Sequence, residues 1–202
     1  MKLLFLLSVS VFLFFGINLP ASAQENDSPF AGAPTRYSVD VVTTQKNGTA
    51  LTIRVFVDGN KRRNEQETNN GRLVLILRGD EKLMYTVIVA RKVYRVGPFD
   101  PSLLKPLDAY QLPTDMILSH KKAGTETVGG QVCDKYRFST AGKKDTSGAS
   151  VAATSGSIWI SQATHLPVKS ETEGAVTQWV NLDVGPQDPS LYAPPGDFQM
   201  AQ

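Results

Sequence analysis

The chain has 202 residues, with 21 lysines and arginines against 19 aspartates and glutamates, and its formal net charge is +2. This near-neutral balance gives no electrostatic basis for binding nucleic acid, and the single cysteine, Cys133, excludes an intramolecular disulfide. A chain of this length commonly forms one domain with a substantial buried core.

The first 23 residues have the three parts of a secretory signal peptide. One lysine precedes an apolar run over residues 3–15, and a triplet of small residues follows at 21–23. This order predicts cleavage after Ala23, whereas the alternative, a membrane anchor, needs about 20 apolar residues. No cysteine stands near the cleavage point, so a lipobox is absent. We therefore expect a periplasmic protein that is exported and not acylated.

The mature chain is predicted to be rich in short strands. Residues 24–35 are polar with two prolines and are typical of a flexible lead-in. From residue 36 onward, β-rich segments alternate with turn signals. These signals are Asn47-Gly48, Asp58-Gly59-Asn60, Gly79-Asp80 and Gly129-Gly130. The pattern predicts an antiparallel meander in a single β domain over residues 36–198.

Two stretches interrupt this pattern. Within residues 97–124, four prolines and two apolar clusters predict short helices, one starting at Asp100-Pro101 and one over residues 114–121. Lys121-Lys122 then complements the dipole at the end of the second helix. Residues 141–157 have the Gly, Ser, Thr and Ala composition of a mobile loop between two strands.

The central strands are apolar on both faces. Residues 73–77 are apolar at every position and residues 83–89 at most positions, whereas a sheet with one solvated face alternates. Both sides must therefore be covered. We predict a mainly β protein, in which a curled antiparallel sheet forms an incomplete, half-open β-barrel with a short helical lid. Its interior leaves room for an apolar ligand.

Five large apolar side chains are candidates for the lining of this cavity. If they share one face of the sheet, they form a wide aromatic surface. Ordinary core packing is the alternative and the commoner role of such residues. The five are Phe56, Met84, Ile88, Trp159 and Trp179.

A basic run lies at Lys61-Arg62-Arg63. It offers Arg62 and Arg63 as contacts for an anionic headgroup at the mouth of the cavity. A solvated strand edge, with Glu65 and Glu67 following the basic run, is the more ordinary interpretation.

The sequence carries little that indicates catalysis. His120 and His165 lie in unrelated settings, and no histidine or cysteine cluster has the spacing of a metal site. Cys133 has no nearby histidine as a base, and nucleophile-elbow and phosphate-binding glycine motifs are absent. We therefore predict no enzymatic activity, no cofactor and no metal, and the role of Cys133 stays open.

The C-terminal residues 185–200 combine four prolines with apolar side chains. Burial is favourable for three apolar side chains of this segment, Leu191, Tyr192 and Phe198. This argues against a disordered tail and against a ligand for another protein. Pro194-Pro195 cannot donate to a sheet ladder and would end strand pairing at the rim. We predict that this tail seals an edge of the fold.

The order of these motifs resembles that of LolA-like periplasmic carriers of outer-membrane lipoproteins. The basic turn within residues 57–67, the strands over 73–96 and the closing segment 158–198 resemble that superfamily, with Tyr192 near Pro194-Pro195-Gly196. The resemblance covers residues 36–198 and is nearest to the superfamily's uncharacterised relatives. It implies an incomplete antiparallel barrel closed by short helices, with a cavity that receives acyl chains.

Together these features predict a non-enzymatic, monomeric periplasmic protein that binds or carries an acyl chain, a lipoprotein or another apolar ligand. The alternative is an envelope sensor or interaction module of the same fold, whose mobile loop and basic turn contact an envelope protein. Nucleic acid is not an expected partner in either case. The sequence leaves open which face of the sheet lines the cavity.

Overall fold

The structure is a computed structural model, and it describes residues 28–100, 116–119, 121–140, 143–144, 150–151 and 153–201. The predicted signal peptide lies outside the described residues. So do the residues that would follow the helix start at Asp100, and most of the loop 141–157.

In the described part of the chain, thirteen strands form one sheet and two more form a separate hairpin. The strands are β1 (Arg36–Gln45), β2 (Ala50–Asp58), β3 (Lys61–Thr68), β4 (Gly71–Arg78), β5 (Leu83–Ile88), β6 (Val93–Pro98), β7 (Met116–Leu118), β8 (Gly124–Val128), β9 (Gln131–Thr140), β10 (Lys143–Lys144), β11 (Ser150–Val151), β12 (Ser155–Ser161), β13 (Pro167–Thr172), β14 (Ala175–Val184) and β15 (Gln199–Met200). The sheet order is β15-β6-β5-β4-β3-β2-β1-β14-β13-β12-β9-β7, and β8 also pairs with β9.

This sheet is open and mainly antiparallel. Strands β15 and β7 stand at opposite ends of the hydrogen-bonded order, so the described strands do not close a barrel. The predicted fold class, a mainly β protein with an open and curled antiparallel sheet, is confirmed. The hairpin of β10 and β11 lies within the predicted loop 141–157, and β12 already begins at Ser155.

The predicted turns lie between the strands as expected. At Asn47-Gly48, which joins β1 to β2, Gly48 has a φ of +85° and the Asn47 side-chain oxygen accepts a hydrogen bond from the Thr49 backbone N–H at 3.0 Å. Gly129 and Gly130 both have positive φ between β8 and β9, as two-residue hairpins require.

Side chains along a strand alternate between the two faces of the sheet, and the register assigns each residue to a face. We name these the Trp179 face, which carries Val41 opposite Trp179, and the Trp159 face, which carries Lys169 opposite Trp159. The largest core cluster is built from side chains of the Trp179 face together with Leu166. Its members are Tyr37, Val39, Val41, Val55, Val57, Phe138, Ile158, Ile160, Leu166 and Trp179.

Residues 28–35 of the predicted flexible lead-in pack against this cluster. The Ala31 N–H donates to the Ser28 carbonyl at 2.8 Å and the Ala33 N–H donates to the Phe30 carbonyl at 3.0 Å, so the chain forms consecutive turns. Phe30 and Ala33 contact the large core cluster. Burial of the Phe30 ring favours this fixed position.

The C-terminal tail crosses the Trp159 face after β14. A 3-10 helix, Pro189–Tyr192, is capped by the preceding Asp188, whose carboxylate accepts a hydrogen bond from the Ser190 N–H at 2.9 Å. This helix sets Tyr192 onto a second core cluster formed by Val74, Ile76 and Val87. Burial raises the pKa of the Tyr192 phenol. The tail therefore covers a face of β4 and β5.

The tail then completes an edge of the sheet. Strand β15 pairs with β6 in parallel, one strand beyond the predicted domain end at residue 198. The prediction that the tail seals an edge is confirmed, but Pro194-Pro195 does not end the pairing. The two prolines lie in the segment that crosses the face, before β15.

The prediction of a helix over residues 114–121 is wrong. Residues 116–118 form β7, which pairs with β9 next to β8. Strand β8 pairs only with residues 131–135 of β9, so residues 138–140 have backbone groups that can pair with residues 116–118. The pairing of β7 with β9 outweighs the local helix propensity. Lys122 therefore caps no helix, and its Nζ lies 3.1 Å from an Asp134 carboxylate oxygen instead.

Gly156 on β12 tests the register of β12 and β13. A Cβ atom there would overlap the Glu171 carbonyl oxygen and lie 2.9 Å from the Phe138 ring. We expect G156A to lower the free energy of unfolding by about 1–3 kcal/mol in urea denaturation, because the backbone must move to relieve the overlap. Gly97 on β6 has open space in the described structure, and the control G97A should keep wild-type stability. Equal stability of G156A and wild type would contradict this register.

Candidate apolar binding surface

The five predicted lining residues do not share one face. The register places Met84, Ile88 and Trp179 on the Trp179 face, and Phe56 and Trp159 on the Trp159 face. A one-residue change of register moves a whole strand to the other face. Sequence alternation within each strand therefore does not show which residues of distant strands lie together.

Trp159 is a packed residue with polar neighbours. Its indole N–H donates to a Glu126 carboxylate oxygen at 2.8 Å, and the ammonium groups of Lys135 and Lys169 lie 4.5 and 5.0 Å from the ring centre. Hydrogen bonds from Lys135 and Trp159 lower the pKa of Glu126. Cys133 packs beside the ring, and burial raises the pKa of its thiol. A raised pKa disfavours the reactive thiolate.

Phe56 and Arg63 belong to the anchoring of the tail. Phe56 packs against the core cluster beneath Tyr192. The Arg63 guanidinium pairs with Glu65 at 2.6 Å and donates to the Leu191 carbonyl at 2.9 Å. These contacts fix Arg63 on the Trp159 face and hold the tail down.

Arg62 lies on the Trp179 face, because consecutive strand residues point to opposite sides. Its Nε and one terminal nitrogen are buried. The interpretation of this basic run as a strand edge is wrong, since β3 is an interior strand between β2 and β4. Two of its charges are paired, because Lys61 lies 3.9 Å from an Asp80 carboxylate oxygen and Arg63 pairs with Glu65.

Trp179 lies in a filled part of the core. The gap beside it, bordered also by Tyr37, Val39 and Leu166, has a volume of about 10 Å³. That is about the space that one water molecule needs. This part of the Trp179 face has no room for a ligand.

The Trp179 face of β4, β5 and β6 carries an apolar strip that is only partly buried. Cross-strand pairs join Leu73 to Ile88 and Leu77 to Met84. Exposure falls along β4 from 37% at Leu73, through half-buried Leu75, to 5% at Leu77. We call these residues the apolar strip, which consists of Leu73, Leu75, Leu77, Met84, Ile88 and Val93.

The tail covers the opposite face of β4 and β5. Val74 and Ile76 are fully buried beneath the tail. The apolar residues at 73–77 therefore serve two purposes, a core under the tail on one face and the apolar strip on the other. Among the described residues the tail provides the cover that we predicted for helices, because Tyr192 fits over Val74 and Ile76.

Polar side chains of β3 border the apolar strip. Asn64 lies opposite Leu75 and Gln66 lies opposite Leu73. The Asn64 side-chain oxygen is buried and accepts no hydrogen bond from any residue that the structure describes.

Met84 and Ile88 on this face were among the predicted lining residues, whereas Leu73, Leu75 and Asn64 were not. The signal lay in the turn at Gly79-Asp80, because a hairpin turn fixes the register of its two strands and thereby sets Leu73 opposite Ile88.

A polar cleft of about 470 Å³ lies between the N-terminal turns and the ends of β9 and β12. Asp134 lines it and accepts hydrogen bonds from Gln162 at 2.6 Å, Thr125 at 3.0 Å and Lys122 at 3.1 Å. Burial raises the pKa of Asp134, but these hydrogen bonds outweigh it and the net direction is down. The carboxylate is already engaged with the protein's own donors.

Two further properties bear on function. Among the described residues, no group of three or more His, Cys, Asp or Glu side chains is placed to hold a metal ion. No helix in that part of the chain combines the length and apolar character needed to cross a membrane.

No protein-family model and no curated protein matches the sequence, but solved structures match the fold. An uncharacterized conserved protein from Thermus thermophilus is 13% identical with a TM-score of 0.56, over 87% of this chain and 94% of that one. MucB in the MucA/MucB complex of Pseudomonas aeruginosa is 14% identical with a TM-score of 0.48, and this chain spans only 61% of it.

A LolA superfamily protein from Nitrosomonas europaea is 10% identical with a TM-score of 0.36, over 83% of this chain and 94% of that one. At these identities the likeness concerns the fold alone. A LolA superfamily protein is thus among the solved structures to which this fold is similar.

Neighbouring residues of β4 test whether the apolar strip is a surface. We expect I76A to lower the free energy of unfolding by about 2–5 kcal/mol, because Ile76 is fully buried beneath the tail. Leu75 is half-exposed on the other face, and L75A should cost markedly less in the same urea titration. Equal losses would show that the apolar strip is a packed core.

Proposed function

We propose that this protein is an exported periplasmic binding or carrier protein without enzymatic activity, and that an acyl chain or similar apolar ligand lies on the apolar strip. The observation that supports this is the partial exposure of Leu73 and Leu75, directly behind fully buried Val74 and Ile76. An exposed apolar surface of this kind commonly marks a binding site.

The shape of the apolar strip suits a chain-like ligand. Leu73, Ile88 and Val93 form one row across three strands and Leu77 pairs with Met84, whereas Leu75 lies opposite Thr86. The strip is open at Leu73 and buried at Leu77. A chain can therefore enter from the Leu73 end without separating any strands. Of the two arginines predicted as headgroup contacts, Arg62 shares this face and is kept in the proposal, whereas Arg63 holds the tail.

The expected affinity is moderate. Removing an acyl chain of about 14 methylenes from water gains about 11 kcal/mol. Loss of translational and rotational freedom costs about 4 kcal/mol or more. The remaining 7 kcal/mol or so corresponds to a Kd on the order of 10 μM, which suits a carrier that must also release its ligand.

Binding of the fluorescent fatty acid cis-parinaric acid tests this function. We expect saturable binding by the wild type, and L75E should weaken it by about tenfold or more, because a buried charge against the chain is costly. V96E is the matched control, since Val96 is 41% exposed on the Trp159 face of β6. It should bind like the wild type.

Absence of saturable binding by the wild type, or equal losses in L75E and V96E, would contradict the proposal. Crosslinking in intact cells addresses the alternative function. A stoichiometric protein partner that L75E leaves in place, together with protein purified free of lipid, would favour an envelope interaction module.

A further inference from the structure

Asn64 is a polar residue placed among apolar neighbours on the Trp179 face. Its cross-strand neighbours are fully buried Val55 on β2 and half-buried Leu75 on β4. The side-chain oxygen is shielded from solvent, yet it accepts no hydrogen bond from the described residues. Buried polar atoms nearly always have a hydrogen-bond partner, so an exception requires an explanation.

The polar neighbours on the same strand do not supply the missing donor. Arg62 and Gln66 lie two residues away on either side and share the face of Asn64, but neither donates to its oxygen. The acceptor thus stands beside the middle of the apolar strip, next to the half-exposed Leu75.

We propose, resting on the proposed function, that Asn64 Oδ1 accepts a hydrogen bond from the polar group of the bound amphiphile. The site then selects acyl chains whose polar group donates a hydrogen bond, through an amide N–H or a hydroxyl. Carboxylates and esters present only acceptors at neutral pH. They gain no hydrogen bond at the Asn64 oxygen, which is already shielded from solvent in the free protein, whereas a donating ligand satisfies it.

An amide N–H and a hydroxyl both supply the donor that the Asn64 oxygen lacks. The shared requirement is a hydrogen-bond donor next to an alkyl chain.

Three probes with 12-carbon chains test the requirement by displacing cis-parinaric acid from the full chain. Dodecanamide carries an amide donor, 1-dodecanol carries a hydroxyl donor, and methyl dodecanoate carries none. In the wild type we expect a donor probe to displace at about tenfold lower concentration than the ester. The ranking of amide and alcohol shows which donor the site takes.

The variant N64L should abolish this preference while leaving displacement by the ester unchanged or improved, because leucine removes the acceptor at similar volume. Q66L is the matched control, since Gln66 lies on the same face of β3 and borders Leu73. It should keep the preference.

Equal displacement by all three probes in the wild type would overturn the inference and leave the proposed function standing, with water as the donor to Asn64. A preference that persists in N64L would also overturn it. Absence of cis-parinaric acid binding by the wild type would instead contradict the proposed function itself. The wild-type comparison is decisive even where N64L fails to fold.

Discussion

The packing of Tyr192 against Val74 and Ile76 is the contact on which this arrangement depends. Strand β4 is apolar on both sides, and a lone sheet cannot bury both. By crossing the Trp159 face, the tail covers one side and leaves the residues of the other side to form the apolar strip. The hydrogen bonds from Arg63 and Arg78 to the carbonyls of Leu191 and Tyr192 fix the tail in place.

The two faces of the sheet differ in their content of charged and apolar residues. Across β1 to β4 the Trp159 face is rich in charged pairs, among them Arg36 with Asp58 and Arg78 with Asp80. The hydrogen bond from Arg78 lowers the pKa of Asp80. Such exposed pairs add little stability each, so hydrophobic burial dominates. The proposed site for an apolar ligand lies on the Trp179 face, where apolar residues are only partly buried.

Local features of the sequence predicted much of the fold. The turns at Asn47-Gly48 and Gly79-Asp80 separate strands because their residues suit positive φ or tight turns, and these preferences act within a few residues. The contacts that decided the rest are distant in sequence. Pairing with β9 made a strand of residues 116–118. The registers from β2 to β5 separated Phe56 from Met84, and those from β12 to β14 separated Trp159 from Trp179. The unsatisfied oxygen of Asn64 depends on three strands together and has no local signature.

The C-terminal tail both covers an apolar face of the sheet and pairs with its edge strand through β15. The residues that cover Val74 and Ile76 lead directly into the short strand that pairs with Val93 and Tyr94 of β6. Detachment of the tail would therefore uncover an apolar face and backbone hydrogen-bonding groups at the same moment. That combination promotes intermolecular strand pairing and aggregation. The tail thus covers both of these surfaces at once as it completes the sheet.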